Sequence, residues 1–399
     1  MSYTHRLKKM LAGDRIYWTG VLVVTCLVVV FIVDSQSAAS YPSYVLAIVM
    51  LVTFSHWRDV FKLSLVRWIA VLLLWFSAST FWSTPYELRD AASIWIRAVL
   101  VFGFVVAVGE CQLRGEMQQW MSKALTIFGT LMMAAALINF FLTDPADGRL
   151  NGLGQLDTHI IAALVFGVVM LFGLKLALDE QSVAWRFVAG VCIMLAIACI
   201  ALSDSRTAWV AVSLGVATYL VANRLDDVRQ LILGLIVLTL VAAVALAVLM
   251  ANDSTQALIL PRGDSFRFSI WSHFLEQIAR APLLGQGINT NDVVEIGDMV
   301  FDHPHNLYLA ILFQGGVLGL AIYLIMLSSA CRYLARCFQL GDAKLALSIL
   351  VLAGSAFLLD GHELVDKVGE AWFLVWLPIG IAVGLSWGEV NRPEYWRYE

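Results

Sequence analysis

The chain has 399 residues, of which 60% are hydrophobic and only 14% charged, and its mean hydropathy is +0.80. A soluble domain carries about a quarter charged residues, so a water-soluble globule is excluded and an all-α polytopic membrane protein is indicated. The net charge of −4 says little by itself, because most charges must sit in loops, and no nucleic-acid partner is expected.

A window of about 19 residues predicts roughly twelve transmembrane helices, near 16–33, 41–56, 64–82, 91–109, 121–142, 159–178, 185–202, 207–223, 230–250, 306–328, 344–360 and 369–387. The second and eighth are short. The N-terminal stretch sets His5, Arg6, Lys8 and Lys9 before an apolar run and then "SQSAAS". Cleavage as a signal peptide is one reading of that pattern; the other, followed here, is a retained first helix. Three parts result: helices one to nine in 1–250, a long loop in 251–305, and helices ten to twelve with a tail in 306–399. No internal repeat or low-complexity segment interrupts them.

With the N-terminus inside, eighteen of the 26 Lys and Arg fall on that side. Arg89, Arg97, Arg149, Arg206, Arg262, Arg267, Arg280 and Lys367 fall on the other. This bias puts both termini in the cytoplasm. All but one of the outer cations are arginine, whose planar fork suits phosphate or carboxylate. Any single one can simply pair with an acid such as Asp90, Asp147 or Asp264. As a group they point to anion binding. Cys26, Cys192 and Cys199 fall in apolar runs, while Cys111, Cys331 and Cys337 fall at inner ends or loops. With no CxxC, no disulfide is expected, and cysteine acts as a small apolar residue.

In "LSDSRTAWV", Arg206 opens the eighth helix from a very short outer turn. A cation this close to the bilayer is costly unless it faces the bundle and finds a partner. A helix start strengthens a phosphate site, although Asp204 can also neutralise the charge. The long loop that follows is not disordered in composition. Asp264 or Ser265 can cap a helix, Phe266, Ile270, Trp271, Phe274 and Ile278 recur at helical spacing, and Pro282, Gly285 and Gly287 end it. Arg267, Glu276, Gln277 and Arg280 fill much of the other face, so an amphipathic helix lies on the outer surface or over the bundle.

The loop ends in "FDHPHNLYLAILFQGGVLG". Pro304 biases His303 towards extended backbone. Asn306 is a good N-cap for the tenth helix, which places His305 just outside that helix start. The positive end of the helix favours neutral imidazole, which suits a general base. The alternatives are an interfacial polar residue or a metal ligand, with Asp302, His303, Asp360, His362 and Glu363 as further donors. H-x-H without a defined third and fourth ligand is a weak metal signal, so neither metal nor cofactor is expected.

These residues resemble the bacterial O-antigen ligases of lipopolysaccharide synthesis. The family signature is a histidine, then Asn, Ser or Gln, nine residues, a Gly, two residues, and Gly, Thr or Tyr. Here it reads His305, Asn306, Leu307 to Gly315, Gly316 and Gly319. The twelve helices, the long outer loop and the arginine of "SDSRTAW" also match, so the likeness in architecture spans nearly the whole chain. Its specific motifs cover only 203–210 and about 262–319. The resemblance implies a fold related to C-type glycosyltransferases and transfer of O-antigen polysaccharide from undecaprenyl pyrophosphate to a sugar hydroxyl of lipid A–core. It implies action on the periplasmic face of the bacterial inner membrane, without nucleotide or metal and with inversion at the anomeric carbon. His305 is then the expected base, and Arg206, with Arg262 and Arg267, is expected to stabilise the pyrophosphate. His303, Asn306, Arg149 and Arg280 are supporting candidates. The rivals are an O-antigen polymerase, an O-linked protein oligosaccharyltransferase and, from another class, a transporter of lipid-linked sugars. The oligosaccharyltransferase is disfavoured by the lack of room for a large C-terminal soluble domain. The transporter is disfavoured because the candidate charges cluster at one face rather than near the midplane.

Overall fold

The computed structural model describes residues 3–234, 266–297, 299–361 and 363–390. These are helical almost throughout. In chain order they form α1 (Tyr3–Val28), short α2 (Gln36–Ala39), α3 (Tyr41–Thr53), short α4 (Trp57–Val60), α5 (Ser64–Ser79), α6 (Leu88–Gln112), α7 (Gly115–Thr143), α8 (His159–Asp179), α9 (Val183–Leu202) and α10 (Arg206–Ala222). After the undescribed 235–265 come α11 (Arg267–Arg280), a hairpin of β1 (Val294–Ile296) and β2 (Met299–Phe301), α12 (Leu307–Arg336), α13 (Gly341–Ala356) and α14 (Leu377–Val390). Among the described residues, seven helices are long and apolar enough to cross a membrane. The expected span at 230–250 lies outside the described residues except for its helical start at 230–234. Each of the other expected spans falls on a helix.

Of the boundaries that differ from the sequence reading, two bear on the site. The expected span 344–360 ends as a helix at Ala356, because the chain turns at Gly361 with φ of 88° and the Asp360 side chain takes the Gly361 N–H at 2.8 Å. The start of α11 is the second. Its N-cap residue is Phe266, in left-handed backbone with no side-chain cap bond; the caps expected from sequence, Asp264 and Ser265, lie outside the described residues.

The last spanning segment is the hub of the bundle. A π-helical turn, Trp372–Trp376, leads into α14, and Trp372, Phe373 and Trp376 are fully buried. Trp372 packs on Phe104 with ring centroids 4.6 Å apart, and Phe373 meets Phe31 at 5.7 Å. Lipid tails are as apolar as leucine, so close van der Waals contact rather than water exclusion holds such helices together. α6 and α14 accordingly approach backbone to backbone, where a Cβ on Gly384 would strike the Gly109 carbonyl. Outward positions such as Ile48, Leu74, Phe187 and Met194 stay exposed and apolar, as a lipid-facing surface requires. All six cysteines are free thiols.

Candidate active site

The site forms where α8, α10 and α12 all begin. Each start has a side-chain cap: Thr158 accepts from the Ile161 N–H, Ser205 from the Ala208 N–H and Asn306 from the Leu309 N–H. Caps satisfy donors that a helix start leaves open, and three clustered starts bring three positive dipole ends to one face.

Asn306 does more than cap α12. Its Nδ2 donates to the Leu358 carbonyl at 2.9 Å, and the Leu307 N–H donates to the Phe357 carbonyl at 3.0 Å. The first turn of α12 is thereby tied to the turn at 357–361. His305 sits just before the cap with φ of 47°, a conformation that costs a non-glycine residue about 1–3 kcal/mol and persists only where its surroundings enforce it. They do so here. The His305 N–H donates to His303 Nδ1 at 3.2 Å, the two rings lie 4.0 Å apart, and His305 Nδ1 faces Asp360 Oδ1 at 3.4 Å. Burial alone would push the Asp360 carboxyl up. The hydrogen bonds from His305 and the Gly361 N–H, with the charges of His305 and His303, outweigh it and hold the carboxyl below its ordinary value. Asp360 is therefore an ionised orienting partner for the imidazole.

α11 lies over this turn. Ile270, Phe274 and Ile278 form its buried stripe against Val294 and Phe313, as the helical spacing predicts. Trp271 Nε1 donates to the Pro304 carbonyl at 2.9 Å, fixing the link between the two histidines. Arg267 donates through Nε and Nη2 to the Leu359 carbonyl at 3.3 and 3.2 Å, which sets its guanidinium one residue from Asp360. Arg280 ends the same helix, about 20 Å away at 1.5 Å per residue, and is not part of the cluster. Arg262 lies outside the described residues.

The loop beyond α11 is built into the bundle. Gly316 has φ of 66° and ψ of −170° and breaks α12. Across the break, Val317 and Leu318 donate to the Pro282 and Leu283 carbonyls, and Gln286 and Gly287 donate back to those of Phe313 and Gln314. A Cβ at Gly316 would overlap the Leu283 carbonyl, so the signature glycine serves a backbone-to-backbone contact. Ile288 and Asn289 then donate to Ser79, the last residue of α5, and to Ser83 just beyond it.

The second half of the site centres on Arg206, the first residue of α10 and exposed at its surface. Asp204 precedes it with φ of 48°. Arg149 bridges His159 Nε2 at 3.1 Å and the Asp204 carboxylate at 3.7 Å. The Leu150 N–H bonds the Leu202 carbonyl at 2.9 Å, which locks the loop before α8 onto the end of α9. His159 is within electrostatic reach of both Asp204 and Asp360, so the Arg149–Arg206 and His305–Asp360 groups share one end of the bundle.

Among the described residues, no group of three or more His, Cys, Asp and Glu is placed to hold a metal ion; His362 lies outside them. Sequence reading missed the pairing of Asp360 with His305, having weighed Asp360 only as a metal ligand. The short polar run "LDGHE" was the available signal. His159 was missed as well, although it opens the sixth predicted helix one residue after a good cap.

Residues 190–324 match the family model described as O-antigen ligase. The chain is also similar to the O-antigen ligase of Pseudomonas aeruginosa, with 28% identity over 309 residues, or 76% of this chain and 73% of that protein. The matched stretch includes both Arg206 and His305, and over most of its length the chain is similar to an O-antigen ligase.

Proposed function

We propose that the chain transfers O-antigen polysaccharide from undecaprenyl pyrophosphate to a sugar hydroxyl of lipid A–core, on the periplasmic face of the bacterial inner membrane. The observation that carries this reading is the His305–Asp360 pair at a helix start, with arginines on the same face. With Nδ1 donating to Asp360, His305 Nε2 is left as the acceptor for a proton. The acceptor hydroxyl gives its proton to Nε2 while its oxygen attacks the anomeric carbon from the side opposite the pyrophosphate. The anomeric C–O bond breaks, its electron pair goes to the departing phosphate oxygen, and undecaprenyl pyrophosphate leaves with inversion at the carbon. Negative charge grows on that oxygen. Arg206 and the starts of α8 and α10 stand where such charge is stabilised, with Arg149 and Arg267 beside them. A positioned base contributes about 10²–10⁴ in rate, and holding two lipids side by side in one membrane supplies further acceleration as proximity.

The test uses purified protein, undecaprenyl-pyrophosphate glycan and lipid A–core, with and without EDTA. Glycan on lipid A supports the reading. Longer glycan still on undecaprenyl replaces it with a polymerase, and vesicle uptake without product replaces it with a transporter. His305→Ala is expected to abolish transfer while folded protein remains in the membrane. Normal transfer by that variant would remove His305 from the mechanism.

A further inference from the structure

The turn that carries Asp360 continues to the π-helical turn at Trp372 and is anchored there by a buried polar cluster that the reaction scheme leaves unused. Arg97, from the outer part of α6, donates through Nη1 to Asp366 Oδ1 at 2.9 Å. Both side chains are largely buried, at 20% and 18% exposure. The Arg97 Nε is buried with no hydrogen-bond partner among the described residues. Glu363 lies beside the pair and shares a hydrogen bond with Asp366. Burial first, and then the Asp366 charge, raise its carboxyl well above the ordinary range against the opposing pull of Arg97. Glu370 adds a further carboxyl from the start of the last spanning segment, within reach of both Asp366 and Asp360. Trp372 and Trp376 donate from their indoles to the Asp366 and Leu364 carbonyls at 3.4 and 3.0 Å.

A buried cation among carboxyls is costly unless each charge has a partner. In compensation, such a cluster fixes the backbone that supplies its members. This loop is gripped at both ends. Near 357–360, α12 and α11 hold it through Asn306, Leu307 and Arg267; near 366, Arg97 of α6 holds it. We infer that Arg97 and Asp366 are positioning residues for the reaction: by pinning the chain at Asp366 to α6, they set the Asp360 carboxylate against His305. The inference rests on the proposed role of His305 as base.

The experiment uses the full chain in lipid nanodiscs with both lipid substrates, comparing wild type, Arg97→Lys, Asp366→Asn, Asp360→Asn and the double variant Arg97→Lys with Asp360→Asn. Lysine keeps the charge but has no fork to span Asp366 and its neighbours. Asparagine keeps an acceptor oxygen for Arg97 and serves as the second probe if Arg97→Lys does not fold. Each of Arg97→Lys and Asp366→Asn is expected to lower kcat about tenfold, as a modest misplacement of a reacting group does, with both KM values unchanged. The double variant is then no slower than Asp360→Asn alone. Losses that multiply in the double variant, or a loss carried by KM rather than kcat, would overturn the inference. His305→Ala run alongside separates the two readings: if it still transfers glycan, the base assignment is what fails.

Discussion

Replacing Asp360 by asparagine is the sharpest probe of the site, because it removes one charge and almost no volume. His305 Nδ1 lies 3.4 Å from Asp360 Oδ1, with the two side chains 33% and 17% exposed. For unit charges at that separation, Coulomb's law gives about 5 kcal/mol at an effective dielectric of 20 and about 1 kcal/mol in bulk water. His305 is a third exposed, so the lower half of that range applies, and about 2 kcal/mol of imidazolium stabilisation is lost. On the proposed mechanism the imidazolium exists only once the acceptor proton has moved, so the loss is expected to fall on the transition state: kcat about 30-fold lower, with KM for each lipid near wild type. An asparagine also presents its amide as readily as its oxygen and so no longer selects the tautomer with Nε2 free. Single-turnover transfer of labelled glycan to lipid A–core, across a pH series and resolved by gel mobility, measures the effect. A variant within threefold of wild type at every pH would refute the orienting role. A variant with raised KM and unchanged kcat would move Asp360 from the chemistry to substrate binding.

Stability should follow the same carboxylate. Its folded-state value is depressed below the ordinary carboxylate value, so its contribution is full above that ordinary value and disappears as pH falls through the folded one; wild type should therefore lose more thermal stability than Asp360→Asn on acidification below about pH 4, read as Tm in detergent. Arg206→Lys keeps a cation at the start of α10 but loses the fork, and transfer is expected to fall at least tenfold; an active lysine variant would reduce Arg206 to a simple charge. Gly316→Ala forces a Cβ into the Leu283 carbonyl in a region of backbone space open mainly to glycine, at a cost of about 3 kcal/mol, so a large fall in melting temperature or folded yield is expected. Glu363→Gln imitates the protonated acid. Because that carboxyl is raised, its contribution is present below its ordinary value and lost as pH rises through the folded one, so the variant should melt less readily than wild type at alkaline pH.

Most of the helices were legible because a spanning segment must satisfy its own backbone and shed its charges, and both demands are local. The His305 motif was legible for a similar reason: Pro304 and Asn306 dictate the backbone on either side of it. What could not be read depends on distant partners. The signature spacing named Gly316, but its reason is a loop some thirty residues earlier in the chain. Asp360 sits 55 positions from His305, at the end of an apolar run that hydropathy extends four residues too far. Arg97 was counted as one outer cation among eight; only packing sets it beside Asp366. The amphipathic stripe of α11 holds at Ile270, Phe274 and Ile278 but not at Phe266, which is exposed ahead of the helix, and nothing in its periodicity announced that Arg267 would grip the Leu359 carbonyl.

The ladder across Gly316 has a consequence for how such proteins diversify. The loop residues 282–287 and the helix residues 313–318 complete each other's main-chain bonding, so neither strand of that ladder is a separable module. The loop cannot be exchanged between relatives by itself. A chimera must carry the matching third of the following helix with it, and a graft cut at residue 305 would join two halves of different hydrogen-bond frames.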